Sequence, residues 1–146
     1  MRSGTPVDAR LVRDRVLESI FCLRISVRMA DNEARQKAED HYYAALDLVS
    51  EGEQERAVAE YQKSLQADPT FTEAMHGMAR ALQDLGRLDE AIAVAKRLSE
   101  IDPDDVLAYT SLSVLYQKKG MIPEAEAEGA KARVLGWKQQ LKKGNS

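Results

Sequence analysis

Residues 72–105 read TEAMHGMARALQDLGRLDEAIAVAKRLSEIDPDD, and this stretch decides the fold. Ala74, Met75, Met78, Ala79, Leu82 and Leu85 recur at the spacing that gathers apolar side chains on one face of an α-helix. Gly86 follows and supplies the left-handed residue that ends a helix. Arg87-Leu88-Asp89-Glu90 then starts a second helix, whose apolar face is Leu88, Ala91, Ile92, Ala95, Leu98 and Ile101. Asp102-Pro103 closes the unit: the aspartate is read as the cap of the next helix and the proline as its first turn, where a missing N–H does no harm. Small residues at Ala79 and Ala91 let the two helices approach closely. One such hairpin cannot bury its own apolar face, but stacked neighbours can.

The stretch has neighbours in the same register. Ala57, Ala91 and Ala125 are 34 residues apart, and so are Gly52, Gly86 and Gly120. Pro69 and Pro103 keep this period, each after an aspartate (Asp68, Asp102). Ala45, Ala79 and Ser113 add a small-residue column, and Leu48, Leu82 and Tyr116 an apolar one. These columns divide the chain into segments 38–71, 72–105 and 106–139, each a helix–turn–helix. The expected architecture is an all-α solenoid of three repeats.

The columns resemble the tetratricopeptide repeat, a 34-residue helix–turn–helix with a small residue within the first helix, alanine early in the second and proline near the end. The matching residues are Ala45, Ala57 and Pro69, then Ala79, Ala91 and Pro103, then Ser113 and Ala125; the resemblance covers residues 38–139, about 70% of the chain. The large aromatic expected late in the second helix is Tyr61 in the first repeat, but Ala95 and Gly129 replace it in the others. Trp137 stands where the third closing proline belongs, so the array ends there and a short capping helix follows in 136–146. In that cap Trp137 and Leu141 are expected to pack on the last repeat, with Lys138, Lys142 and Lys143 facing water and complementing the helix dipole.

Composition narrows the function. Of 146 residues, 44% are hydrophobic and 31% charged, too apolar for a disordered chain. Residues 1–28 carry a net charge of +3, whereas 38–135 carry −9. The acidic body disfavours nucleic-acid partners, because phosphate contacts need clustered Lys and Arg. No apolar stretch approaches the ~20 residues of a membrane-spanning helix. Cys22 stands alone, so no internal disulfide forms and a cytoplasmic location is expected. No glycine-rich phosphate loop, Gly-x-Ser-x-Gly or His-Glu-x-x-His motif occurs, and no histidine or asparagine accompanies Cys22 in a catalytic pattern. His41 and His76 sit on the first helices of successive repeats and lack a third ligand for a metal. The expectation is no enzyme, no metal and no cofactor.

The N-terminal 37 residues stand outside the repeats. Val7, Leu11, Val12, Val16, Leu17, Ile20 and Phe21 have helical spacing, while Cys22–Val27 can also alternate as a strand. Arg24 and Arg28 break any secretory apolar centre, and Asp8, Asp14 and Glu18 argue against an organelle-targeting helix. Residues 1–37 are expected to be an N-terminal extension, partly helical or disordered, with two readings side by side: a helix that packs on the first repeat, or an upstream extension with no structural partner ahead of a start at Met29.

The resemblance implies a protein–protein interaction module in which first helices line a concave groove for a partner's peptide or helix. Carried over by position, the groove residues are Glu39, Tyr42, Leu46, Val49 and Ser50, then Glu73, His76, Arg80, Gln83 and Asp84, then Leu107, Thr110, Val114, Gln117 and Lys118. Family members that bind chaperone tails clamp a terminal carboxylate; the clamp positions here hold Tyr42, Leu46, Gly77, Leu107 and Ser111, none cationic and none an amide. A carboxylate needs charge-assisted donors to offset its desolvation, so partners with apolar anchors are expected instead. The alternative function is self-assembly into homo-oligomers.

Overall fold

In the computed structural model, residues 9–145 are described, with side chains from residue 15 onward. Among the described residues there are helices and no strand: α1 (Ala9–Ser50), α2 (Gln54–Ala67), α3 (Thr72–Asp84), α4 (Leu88–Ile101), α5 (Val106–Lys118) and α6 (Ile122–Gly144). The architecture is an all-α helical repeat. The chain divides into two compact units, Met1–Gln36 and Lys37–Ser146.

In the first unit the backbone is helical through Cys22–Val27, so the strand alternative for that stretch is overturned. Apolar residues spaced three and four apart continue through Val16, Ile20, Leu23 and Val27, and that helical period prevails over the short alternation. Val16, Leu17, Ile20, Phe21, Leu23, Ile25, Val27 and Met29 are all exposed. Val7 lies outside the described residues, and Leu11 and Val12 outside those with described side chains.

The second unit is built from the 34-residue period. Gly52, Gly86 and Gly120 have φ of 80°, 76° and 79°, so each adopts the left-handed conformation that glycine tolerates without strain. Around them the same bonds recur: the amides of Glu53, Arg87 and Met121 each reach back 2.9 Å to the carbonyls of Leu48, Leu82 and Tyr116. These bonds satisfy carbonyls that the helix end would otherwise orphan. Ala45, Ala57 and Ala91 are fully buried and Ala79 and Ala125 nearly so, as close helix crossings require. In the third column Ser113 replaces alanine and donates its hydroxyl to the Ala125 carbonyl at 2.7 Å. Ser64, wholly buried, donates likewise to Ala38 in α1 at 2.6 Å.

Two local expectations are corrected. The Asp-Pro pairs do not start the next helices, because α3 begins at Thr72 and α5 at Val106. Asp68 accepts from the Thr70 amide at 3.0 Å and Asp102 from the Asp104 amide at 3.1 Å, so both carboxylates stabilise the loop instead. The helix cap is Asp105, which accepts from the Leu107 amide at 2.9 Å and from that of Ala108. The separate C-terminal cap is also absent among the described residues: Trp137 and Leu141 lie on the continuous helix α6, exposed by 67% and 55%. Gly129 and Gly136 lack the positive φ that would stop it. Gly129 has a packing role, since an added Cβ would stand 3.1 Å from Ser113 Oγ. The local helix penalty of about 1 kcal/mol therefore accompanies a close approach of α5 and α6.

Candidate functional site

Helices α3 and α5 present parallel rows of side chains one repeat apart, and the rows enclose a cavity of about 330 Å³. His76, Ala79, Arg80 and Gln83 form the α3 wall; Leu107, Thr110, Ser111, Val114 and Leu115 form the α5 wall. The wall residues advance by three or four along each helix, which is why a 34-residue repeat brings them face to face. Leu107 and Val114 are exposed by 63% and 37%, whereas Ala79 and Leu115 form the buried floor.

Three of the polar members, His76, Arg80 and Thr110, have partners of their own. His76 Nε2 lies 2.7 Å from Asp105 Oδ2, while Asp105 Oδ1 caps α5. One carboxylate thus fixes a groove side chain and the start of the facing wall. Arg80 pairs with Asp84 at 3.5 Å on the exposed side of α3. The Thr110 hydroxyl donates to the Val106 carbonyl at 2.9 Å and leaves its methyl as a contact surface.

Of the groove residues expected from sequence, His76, Arg80, Gln83, Leu107, Thr110 and Val114 come together in this cavity. Gln117 and Lys118 are exposed farther along α5 and do not line it. On α1, Leu46 is 39% exposed, but Tyr42 and Val49 are half-buried against the core. Tyr42 sits 5.2 Å from the Phe71 ring and 6.2 Å from the Tyr61 ring, centroid to centroid. An aromatic in such a cluster gains contact energy by staying in the core, so its position in the register alone does not make it a free anchor. Ala79 and Leu115 were missed as lining residues; their alanine-and-leucine chemistry signals core, and only the facing helix makes them a floor.

The two histidines have separate carboxylate partners. His41 Nδ1 is 2.7 Å from Glu60 Oε2, and His76 is held by Asp105. Hydrogen bonds from Lys63 and then His41 hold the Glu60 carboxyl below its usual range. Burial raises the Tyr61 hydroxyl above its usual range, with Tyr42 adding to the shift. Among the described residues no group of three potential ligands is placed to hold a metal, and no helix is long and apolar enough to cross a membrane.

Residues 48–113 match the tetratricopeptide repeat family. A pentatricopeptide repeat-containing protein of Arabidopsis thaliana is 31% identical over 106 residues, covering 67% of this chain; the chain spans only 15% of that protein. Among solved structures, MamA superposes with a TM-score of 0.69 at 23% identity, covering 71% of this chain and 61% of MamA. The second tetratricopeptide domain of Spaghetti (RPAP3), bound to the HSP90 peptide SRMEEVD, gives 0.68 at 20% identity and covers 73% of this chain and 98% of that one. The type III secretion translocator chaperone SycD of Yersinia enterocolitica gives 0.65 at 22% identity, covering 68% and 76%. Likeness at these identities establishes the fold and leaves the ligand to each chain's own residues.

Proposed function

We propose that this chain, whose helical repeats are tetratricopeptide repeats, is a protein–protein interaction module that takes a peptide or helix of a partner between α3 and α5. In this reading the repeats occupy 38–71, 72–105 and 106–139, in an adaptor or scaffold without catalytic chemistry of its own. The observation that carries it is the cavity itself: exposed Leu107 and Val114 beside hydrogen-bonding His76, Gln83 and Thr110. Apolar contacts supply affinity there, and a few fixed polar groups set register. Leu46 extends the apolar lining on α1, and Gln117 and Lys118 extend the polar end of α5.

Acidic C-terminal tails are not the ligand class in this proposal. Leu46, Gly77, Leu107 and Ser111 offer a carboxylate no cationic donor, and Arg80 is already paired with Asp84. Selection from a displayed peptide library tests the reading. Enriched sequences should carry apolar anchors, and Leu107→Asp or Val114→Asp should abolish their binding while the helical circular dichroism spectrum is unchanged. Enrichment of peptides ending in acidic residues, with binding lost on amidation of the terminal carboxylate, would overturn it. The second reading, self-association, draws on the exposed apolar residues of α1, from Val16 to Met29.

A further inference from the structure

We propose that residues 23–34 of α1 dock antiparallel on the same segment of a second copy of this chain. This rests on the self-association reading and is independent of the groove. Along α1 the residues Ile20, Leu23, Val27, Ala30 and Ala34 follow the alternating three-and-four spacing of a coiled-coil seam. The first four are exposed and Ala34 is half-buried. Their sizes are graded: large residues stand toward the N-terminal end and alanines toward the C-terminal end.

That gradient selects the orientation. In a parallel, in-register pair each residue meets itself, so the Ala30 and Ala34 layers are under-filled. In an antiparallel pair Leu23 meets Ala34 of the second copy and Val27 meets Ala30, so these four central layers each combine one large and one small side chain, and Ile20 lies beyond them opposite the aliphatic stem of Lys37. The flanking residues agree. In this register Arg24 faces Asp31 of the second copy, twice by symmetry, and Ser26 faces Glu33. Neither Arg24 nor Asp31 pairs with another charged group among the described residues. Sliding the second copy by one heptad sets Arg24 against Arg24, and the parallel arrangement sets Arg24 against Ser19. Only one arrangement satisfies both size and charge. The isologous geometry closes on itself, so it gives a dimer and not a filament.

Sedimentation velocity of the full chain over a wide concentration range, with charge exchange, is the test. The wild type should show a concentration-dependent monomer–dimer equilibrium. Arg24→Asp alone and Asp31→Arg alone should each weaken it about tenfold, because two attractive pairs become repulsive. The double variant Arg24→Asp/Asp31→Arg should restore the wild-type constant. Spin labels on the exposed Cys22 give an independent reading of direction: the antiparallel register separates the two labels along the axis by about 20 Å, at 1.5 Å per residue. A parallel pair would place them level. A chain that stays monomeric throughout would overturn both the seam and self-association, as would a monomer that binds anionic vesicles. A dimer indifferent to all three charge variants but dissociated by Val114→Asp would overturn the seam alone.

Discussion

Residues 15–33 and 38–135 are both helical, yet they hold their apolar side chains in opposite ways. In the first stretch Leu17, Phe21 and Leu23 are each more than 60% exposed; in the second Tyr61, Met75, Leu82, Leu98 and Leu115 are each below 2%. Helical periodicity is present in both. What differs is the company it keeps: in 38–135 the apolar face repeats every 34 residues, with small residues where the next helix must approach. In 15–33 no such column occurs. Periodicity specifies a helix, while matched columns at a fixed longer period specify what the helix packs against. The exposed stretch is the kind of surface that calls for a partner.

The largest break in this contrast should come from Tyr61. Its ring fills the niche left by Gly77, where an added Cβ would lie 2.5 Å from the ring, and it packs near Tyr42. Tyr61→Ala should destabilise the chain by about 3–5 kcal/mol, the range for large buried aromatics, read as a lower denaturant midpoint. A loss below 1 kcal/mol would mean that the second unit is no better packed here than the first. Next comes Ala91→Leu, which inserts bulk at a fully buried crossing and should cost about 1–3 kcal/mol through overpacking. A thermally silent substitution would show that the crossing has room to spare.

A smaller effect should follow pH. Because Glu60 has a depressed folded-state pKa, its bonds to Lys63 and His41 contribute stability above the usual carboxylate range. That contribution is lost as pH falls through the folded-state value. Glu60→Gln should therefore be slightly less stable than wild type at neutral pH and equal to it in acid, by thermal melts across that range. A deficit that persists unchanged in acid would point to lost packing in place of lost charge pairing. The smallest effect belongs to the first stretch. Phe21→Ser should change stability by no more than about 0.5 kcal/mol, as for an exposed position. A drop of several degrees in Tm would break the contrast, for Phe21 would then be buried in solution.

Much of the fold is legible in the sequence. The recurrence of Gly52, Gly86 and Gly120 located three helix ends, since only a residue free of Cβ strain adopts positive φ at no cost there. The alanine columns located the helix crossings, because backbone approach demands small side chains whatever surrounds them. The candidate groove was legible as far as α3 and α5: exposed positions on equivalent first helices face one another by virtue of the period alone. On α1 the same register points to Tyr42 and Val49, which are half-buried against the core, where apolar side chains serve packing as readily as a ligand.

What the sequence determined by itself is thus what the 34-residue period carries: the all-α class, the helix ends at Gly52, Gly86 and Gly120, the crossing points, and the α3 and α5 rows of the candidate groove. Only the tertiary structure decided which distant side chain answers each one. Tyr61 fills the space beside Gly77, Asp105 both caps α5 and holds His76, and Ser113 bonds across to Ala125 where Gly129 makes room. Those partners lie 12 to 29 residues apart, none within a single helix. Their choice depends on the relative placement of packed helices, to which no single helix's pattern refers.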